Sequence, residues 1–316
     1  MPTGNEEPIE TQPVIIETQP IVPPTTQDTV IEEENVVEQE EEPQIKINKY
    51  IGMYADHPNQ LGDLRSSINV LGWFDSFDKT SSAKLEICLD KDEYVAFITL
   101  EPDGMSLDDI VNGVHDKKII AYLSELSKGD RVNKELFVRF AHEMEMRKSY
   151  GSPWYPWQSY DSDAYIAAWK HIVDLGRIHS PNVKWVWSPN RVDELTKAYY
   201  PGDEYVDYVG LTLNANAGYD QSFGDFYEEV GQKDWLEDYG KPIIFSEVAK
   251  HRVSQNTQNE YIADALEYIQ SDERYAGIIF FNENISSDRK YQFSHDPLIV
   301  STFVEKAKEL LYIEEA

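Results

Sequence analysis

The sequence predicts a single (β/α)8 barrel, and two observations favour that fold. From Tyr50 onward, strand-like apolar runs alternate with helix-like stretches, which is typical of a parallel α/β fold. We predict eight strands, the number that closes such a barrel, and 316 residues suffice for a barrel of about 250 with a short remainder. The alternative is an open, doubly wound sheet, which would usually carry a Gly-rich phosphate loop after its first strand. The segment Asp56-His57-Pro58-Asn59 at that place is not such a loop.

The strands and helices are predicted from apolar periodicity. The predicted strands are Lys49–Tyr54, Gly72–Phe77, Tyr94–Leu100, Leu136–His142, Val183–Trp187, Val206–Leu213, Ile243–Ser246 and Gly277–Phe281. The predicted helices are Leu61–Leu71, Lys117–Leu126, Asp163–Ile178, Thr257–Ile269 and Pro297–Leu311. In the third helix, apolar residues recur at helical spacing, and Asp161 or Asp163 can cap its N-terminus.

Residues 1–46 are predicted to be a disordered acidic linker, and residues 47–316 to form the barrel. The first segment holds twelve acidic residues and seven prolines, no aromatic residue, and no Lys or Arg before Lys46. Such a composition cannot bury enough apolar surface to offset the entropy of ordering the chain. We expect an extended tether of an extracellular or cell-surface bacterial protein, although no signal or anchor is visible. A disordered tail of no consequence is the alternative.

Charge and cysteine content exclude several classes of function. A net charge of −30 opposes binding to nucleic acid, whereas a neutral glycan carries no such penalty. The single cysteine, Cys88, rules out an intramolecular disulfide and a cysteine-based zinc site. The sequence has no apolar run of about 18 residues, so no membrane span is predicted. We expect a monomer without metal or cofactor, because no His/Asp cluster has metal-ligand spacing.

Two glutamates are the main catalytic candidates. Glu143 follows the apolar run that begins at Leu136, and Glu247 follows Pro-Ile-Ile-Phe-Ser. The C-terminal ends of the strands form the active-site face of a barrel, and two carboxyl groups there can cleave a glycosidic bond. Strand periodicity places Arg139 on the same face as Glu143, where its guanidinium can bind either carboxylate. His142 lies beside Glu143 and can orient or tune these groups.

Further residues near predicted strand ends are candidates for binding a sugar polymer. Trp154, Trp157 and Trp187 offer flat rings on which sugar faces can stack, although each ring can equally belong to the packing of the barrel. Asn190 and Asn214 can bond sugar hydroxyls, or they can cap and turn the chain. Glu101 is a possible third carboxylate at the end of the third strand. These are added to His142 and Arg139 as predicted substrate-binding residues.

From about Tyr50 to Leu311 the chain resembles glycoside hydrolase family 26, the family of β-mannanases and related endo-glycanases. The resemblance depends on the order and spacing of several sequence blocks. These blocks are Arg139-Phe-Ala-His142-Glu143-Met144, Trp154-Tyr155-Pro156-Trp157, Ala168–Val173, Val183–Asn190, Tyr200–Asp207 and Lys241–Val248. The resemblance implies a retaining (β/α)8 barrel without a cofactor, in which Glu143 is the acid/base and Glu247 the nucleophile. Their carboxyl groups should then lie about 5–5.5 Å apart.

Some positions depart from the pattern of this family. The sequence has Glu145-Met146 where the family often continues with Asn-Gly, strand six lacks an aromatic residue at Leu213, and Phe281 is not followed by tryptophan. We predict an endo-glycosidase that acts on a neutral β-linked polysaccharide, β-mannan first. A non-catalytic glycan-binding or polysaccharide-assembly barrel is the alternative. A structural barrel whose acidic spacer docks a basic partner is a weaker third hypothesis.

Overall fold

The computed structural model describes residues 45–47, 49–146, 153–216, 218–229, 233–286 and 289–314. Residues 1–44, most of the predicted linker, lie outside this range, so the predicted disorder remains a prediction. The described chain begins with the short strand Ile45–Ile47, which pairs antiparallel with Tyr312–Glu314. This pairing lies at the predicted boundary between the linker and the barrel.

Eight parallel strands form a closed barrel, which confirms the predicted fold class. Each strand pairs with its neighbour in the chain, and β8 pairs with β1 through Tyr50 and Gly277. A Cβ atom at Gly277 would lie 2.2 Å from the Tyr50 carbonyl oxygen, so closure requires glycine there. The strands are β1 Tyr50–Tyr54, β2 Val70–Ser76, β3 Val95–Glu101, β4 Leu136–Phe140, β5 Val183–Trp187, β6 Tyr208–Ala215, β7 Ile243–Lys250 and β8 Tyr275–Phe280.

Helices surround the barrel and bury apolar faces against it. Asp161 caps the helix Ser162–His179 by accepting a hydrogen bond from the Ala164 amide at 3.0 Å, as predicted. The α-helices in the described residues are Ser82–Leu85, Leu107–Val111, Asp116–Leu126, Ser162–His179, Glu194–Lys197, Phe223–Glu229, Lys233–Glu237, Gln255–Tyr268 and Pro297–Leu311. The remaining helical segments are of the 3-10 or π type: Pro58–Ser66, Glu86–Asp90, Gly129–Asn133, Pro156–Ser159 and Asp203–Tyr205. Among all of these, none is both long and apolar enough to cross a bilayer.

The barrel interior has an apolar layer below a polar one. The apolar layer contains Val70, Phe97, Phe137, Val186, Ile244 and Ile279. Thr99 and Arg139 lie two residues further along β3 and β4, Thr212 lies on β6, and all three are buried. A buried polar group must find hydrogen-bond partners, so this polar layer marks the end of the barrel where a site can be built.

The predicted helix at Leu61–Leu71 is wrong. The segment Pro58–Ser66 forms 3-10 turns, and β2 already begins at Val70. Gly62 has φ 56° inside the turns, which breaks any continuous helix. After β8, a two-stranded ribbon of Asn284–Ser286 and Arg289–Lys290 was not predicted.

Candidate active site

The two predicted catalytic glutamates lie at the C-terminal end of the barrel but do not end their strands as predicted. Strand β4 stops at Phe140, and Glu143 follows in a turn where Ala141 and Glu143 have φ of 42° and 54°. Glu247 lies inside β7, which continues to Lys250. The Glu143 amide donates to the Ser188 carbonyl at 2.9 Å, which ties this turn to the end of β5.

Both glutamates are buried side by side, with 7% and 8% of their surface exposed. One carboxylate oxygen from Glu143, one from Glu247 and one ring nitrogen of His142 all lie within 4.8 Å of one another. The structure therefore brings together the three side chains that the sequence placed at two different strand ends.

Arg139 is fully buried beneath this pair and holds it in place. Its Nη1 donates to Glu247 Oε2 at 2.8 Å, and its Nη2 lies 4.0 Å from Glu143 Oε1. Its remaining donors bond the hydroxyls of Ser188 at 3.0 Å and Thr212 at 2.5 Å. The guanidinium thus offsets the negative charge of two buried carboxylates, and its planar fork fixes their orientation.

The surroundings of Glu143 favour its protonated form. Burial is the largest cause of its raised pKa, and the charge of Glu247 adds to it. Arg139 and the amide of Asn190 act in the opposite direction. Burial also raises the pKa of Glu101, the last residue of β3, to about 7, and both catalytic glutamates contribute. Burial and the charge of Glu247 thus favour the form of Glu143 that carries a proton.

His142 is buried, and its imidazole is neutral because burial and the Arg139 charge both lower its pKa. Its ring packs against Tyr155 and Trp157, and its carbonyl accepts a hydrogen bond from the Trp157 indole at 2.8 Å. His142, Glu143 and Glu247 could offer ligand atoms to a small cation. The Arg139 guanidinium, however, already binds Glu247 and disfavours a second positive charge there.

The two asparagines contact the catalytic carboxylates. The Asn190 side-chain amide donates to Glu143 Oε1 at 3.2 Å, and the Asn214 amide donates to Glu247 Oε1 at 3.0 Å. Both also line the cleft above the glutamates. The sequence predicted these asparagines as sugar-hydroxyl ligands, and the structure gives each of them a carboxylate partner as well.

The three candidate tryptophans have different environments. Trp154 is 59% exposed and lines the cleft, and the Arg289 guanidinium lies 5.2 Å from its ring centroid. The prediction that Trp187 and Trp157 form sugar platforms is wrong, because both rings are buried. Trp187 packs edge-on against both Tyr200 and Tyr239.

Trp157 instead supports Tyr155, which the sequence analysis did not select. The two rings stack at 4.5 Å with an interplanar angle of 6°, and Tyr155 lines the cleft. The signal that could have found it is its place in the Trp-Tyr-Pro-Trp block, between two selected residues.

A cleft of about 450 Å³ opens above the glutamates, which is large enough for sugar units. Its lining includes residues from the loops after β4, β5 and β6 and from the ribbon after β8. Those not predicted from the sequence are Met146, Tyr155, Arg191, Thr212, Leu213, Asn216, Tyr219, Phe226, Ile285, Arg289 and Tyr291. About half of them lie in loops, where periodicity carries no signal.

The match to a family model decides which family this site belongs to. The model of glycosyl hydrolase family 26 matches residues 91–252, which contain both glutamates, Arg139 and both asparagines. The chain belongs to glycosyl hydrolase family 26. A curated protein with a similar sequence is Endoglucanase H of Acetivibrio thermocellus, which is 32% identical over 222 residues. The match covers 65% of this family 26 chain but only 23% of that protein, so the chain spans about a quarter of its length.

Solved structures of the family share the fold. The catalytic domain of the family 26 endo-β-1,4-mannanase from Bacillus sp. JAMB-750 aligns with a TM-score of 0.60, at 17% identity, over 82% of this chain and 85% of that one. The family 26 β-mannanase from Bacteroides ovatus aligns with a TM-score of 0.59, at 15% identity, over 84% and 90%. At such identities the likeness shows the barrel and does not transfer a substrate.

Proposed function

We propose that this family 26 chain is a retaining endo-glycosidase, with Glu143 as the acid/base and Glu247 as the nucleophile. The observation that carries the proposal is the approach of the two carboxyl groups, whose oxygens come within 4.8 Å. Retaining enzymes need about 5–5.5 Å between carboxyl groups, whereas inverting enzymes need about 6.5–9.5 Å to admit a water molecule.

The contacts of each glutamate suit its role. Burial raises the pKa of Glu143 and so favours the protonated form, which gives its proton to the leaving glycosidic oxygen. Glu247, bonded by Arg139 and Asn214, attacks the anomeric carbon and forms a glycosyl-enzyme ester. Glu143, now ionised, removes a proton from water as that water attacks the same carbon, and Glu247 leaves. Two inversions give net retention.

The substrate we propose is a neutral β-linked glycan. The net charge of −30 opposes anionic polymers, and the cleft offers Trp154 and Tyr155 as rings for stacking. The sequence resemblance puts β-mannan first, but the relative with 32% identity is named an endoglucanase. We therefore propose β-glucan ahead of β-mannan. A polymer of this kind is met outside the cell, which supports an extracellular or surface-tethered enzyme.

The proposal is tested by product release from mixed-linkage β-glucan, glucomannan and galactomannan. Wild type should release oligosaccharides from at least one polymer, and Glu143→Ala and Glu247→Ala should lose at least about 10²-fold in rate. Glu194→Ala is the matched control, because this glutamate is exposed at the start of a short helix near the site.

Azide then separates the two roles. With a dinitrophenyl β-glycoside, whose leaving group needs no proton, azide should rescue Glu143→Ala and give a β-glycosyl azide. With Glu247→Ala, azide should give the α-glycosyl azide, because azide replaces the enzyme nucleophile and reacts with a single inversion. If the two variants give the opposite anomers, the roles of Glu143 and Glu247 are exchanged. Absence of hydrolysis, with glycan binding that survives both substitutions, would favour a non-catalytic glycan-binding barrel.

A further inference from the structure

Glu145 is a buried carboxyl group next to the site that the proposed reaction does not use. It lies two residues after Glu143, at the position where the sequence departs from the pattern of family 26, and none of its surface is exposed. Its Oε1 accepts hydrogen bonds from the backbone amides of Asn190 at 2.8 Å and Arg191 at 2.7 Å. Its Oε2 is buried with no hydrogen-bond partner among the residues that the structure describes.

These bonds join the turn after β4 to the loop after β5. The Glu143 backbone amide donates to the Ser188 carbonyl, and the Glu145 side chain accepts from the backbone amides of Asn190 and Arg191. The Asn190 side chain then donates to the Glu143 carboxyl group. The chain thereby forms a closed ring of hydrogen bonds that begins and ends at the proposed acid/base. The position of the Asn190 amide therefore depends on the side chain of Glu145.

The bond from Asn190 also fixes where the acidic proton lies. An amide NH₂ can only donate, so Glu143 Oε1 must accept, and Arg139 lies 4.0 Å from the same oxygen. We therefore place the proton of the neutral carboxyl group on Oε2, the oxygen to which the Asn190 side chain does not donate.

We propose that Glu145 is a positioning residue for the general acid: it holds the Asn190 loop so that Glu143 keeps its proton on Oε2. The inference rests on the proposed role of Glu143 as acid/base. Burial raises the pKa of Glu145 to about 8, so near neutral pH the group is mostly uncharged. Its contribution is therefore an oxygen that accepts two amide bonds, and a glutamine can supply the same oxygen.

The test compares two substrates with the same sugar. One is the polymer that wild type hydrolyses best, whose leaving oxygen needs a proton, and the other is the dinitrophenyl β-glycoside, which needs none. Glu145→Ala should lower kcat on the polymer by about 10–100-fold, part of the usual 10²–10⁴-fold contribution of a general acid. The same variant should change kcat/KM on the dinitrophenyl substrate by less than about threefold. Glu145→Gln should restore most of the lost rate, and Glu194→Ala should behave as wild type on both substrates.

Several outcomes would overturn the inference. Equal losses on both substrates would show that Glu145 only supports the fold, and no loss on either would show that the Asn190 loop does not need it. If Glu145→Ala does not fold, Glu145→Asp replaces it, because the shorter side chain cannot reach both amides. Glu145→Asp must then lower the rate on the polymer and leave the rate on the dinitrophenyl substrate nearly unchanged. Failure of wild type to hydrolyse any polymer would instead refute the proposed function, so the two failures are distinguishable.

Discussion

Removal of the buried guanidinium by Arg139→Met should destabilise the protein by about 4 kcal/mol at pH 7. Methionine fills most of the vacated volume, so the main cost is electrostatic. The hydroxyl of Ser188 keeps Ser246 as a partner at 2.6 Å. Glu247 by contrast loses its only ion pair among the described residues and stays buried. Breaking a buried pair by removing one partner typically costs about 3–5 kcal/mol.

The loss should depend on pH in a defined direction. Arg139 lowers the pKa of Glu143, so its removal raises that folded-state pKa further. Through Glu143, the variant therefore loses stability relative to wild type at a pH where this group is ionised in wild type, and the difference disappears as the pH falls and the group is protonated in both proteins. At pH 4.5 the difference should shrink to about 1 kcal/mol, the value of a neutral hydrogen bond.

Urea unfolding followed by tryptophan fluorescence at both pH values measures these differences. Arg139→Lys is the control: it keeps the charge but not the planar fork, and should fall between wild type and Arg139→Met. A loss below about 1 kcal/mol at pH 7, or one that is the same at pH 4.5, would refute the argument that Arg139 acts by neutralising buried carboxylates.

Three further predictions follow from the site. Trp154→Ala should raise KM for the polymer by about 10-fold without changing stability. Trp187→Ala should instead cost about 3–5 kcal/mol of unfolding free energy and leave KM unchanged. The reverse pattern would contradict the placement of these rings. Because the Asn190 amide lowers the pKa of Glu143, Asn190→Ala should move the alkaline limb of kcat/KM to higher pH, and a downward move would contradict this sign. Gln158 donates to the Glu143 carbonyl at 2.8 Å and accepts from the Trp154 amide at 2.6 Å, so Gln158→Ala should cost about 2–3 kcal/mol and lower kcat. Gln158→Glu keeps the acceptor but sets a buried carboxyl oxygen against the Glu143 carbonyl oxygen, so it should lose at least as much, and a smaller loss would contradict this account.

The barrel could be predicted because its strands carry strong apolar runs, but several strand ends could not. We predicted that β7 stops before Glu247, since a charged side chain usually ends a buried strand. The strand continues to Lys250, because Arg139, 108 positions earlier in the chain, binds the Glu247 carboxylate inside the barrel. Contacts of this kind are invisible to local periodicity.

The sequence allowed us to predict which side chains meet at the mouth of the barrel, but not much of their surroundings. Carboxyl groups near strand ends predict chemistry at the mouth of a barrel, and the structure brings Glu143, Glu247, Arg139 and His142 together as expected. Aromatic residues give a weaker signal, because the same ring suits a core and a sugar platform. Trp187 follows the first pattern and Trp154 the second, and only burial distinguishes them.

The backbone of the β4 turn shows why the geometry of Glu143 could not be inferred. Ala141 and Glu143 both have the left-handed conformation, which costs about 1–2 kcal/mol for a residue other than glycine. The Ala141 amide bonds the Leu100 carbonyl at 3.0 Å, and Glu143 is bonded through both its amide and its carbonyl. Partners on β3, β5 and the Trp157 turn thus hold a conformation that the local sequence disfavours. A regular strand would have carried Glu143 onward along β4, and the turn brings its carboxyl group to Glu247 instead. Tertiary hydrogen bonds, rather than strand propensity, therefore place the Glu143 carboxyl group beside that of Glu247.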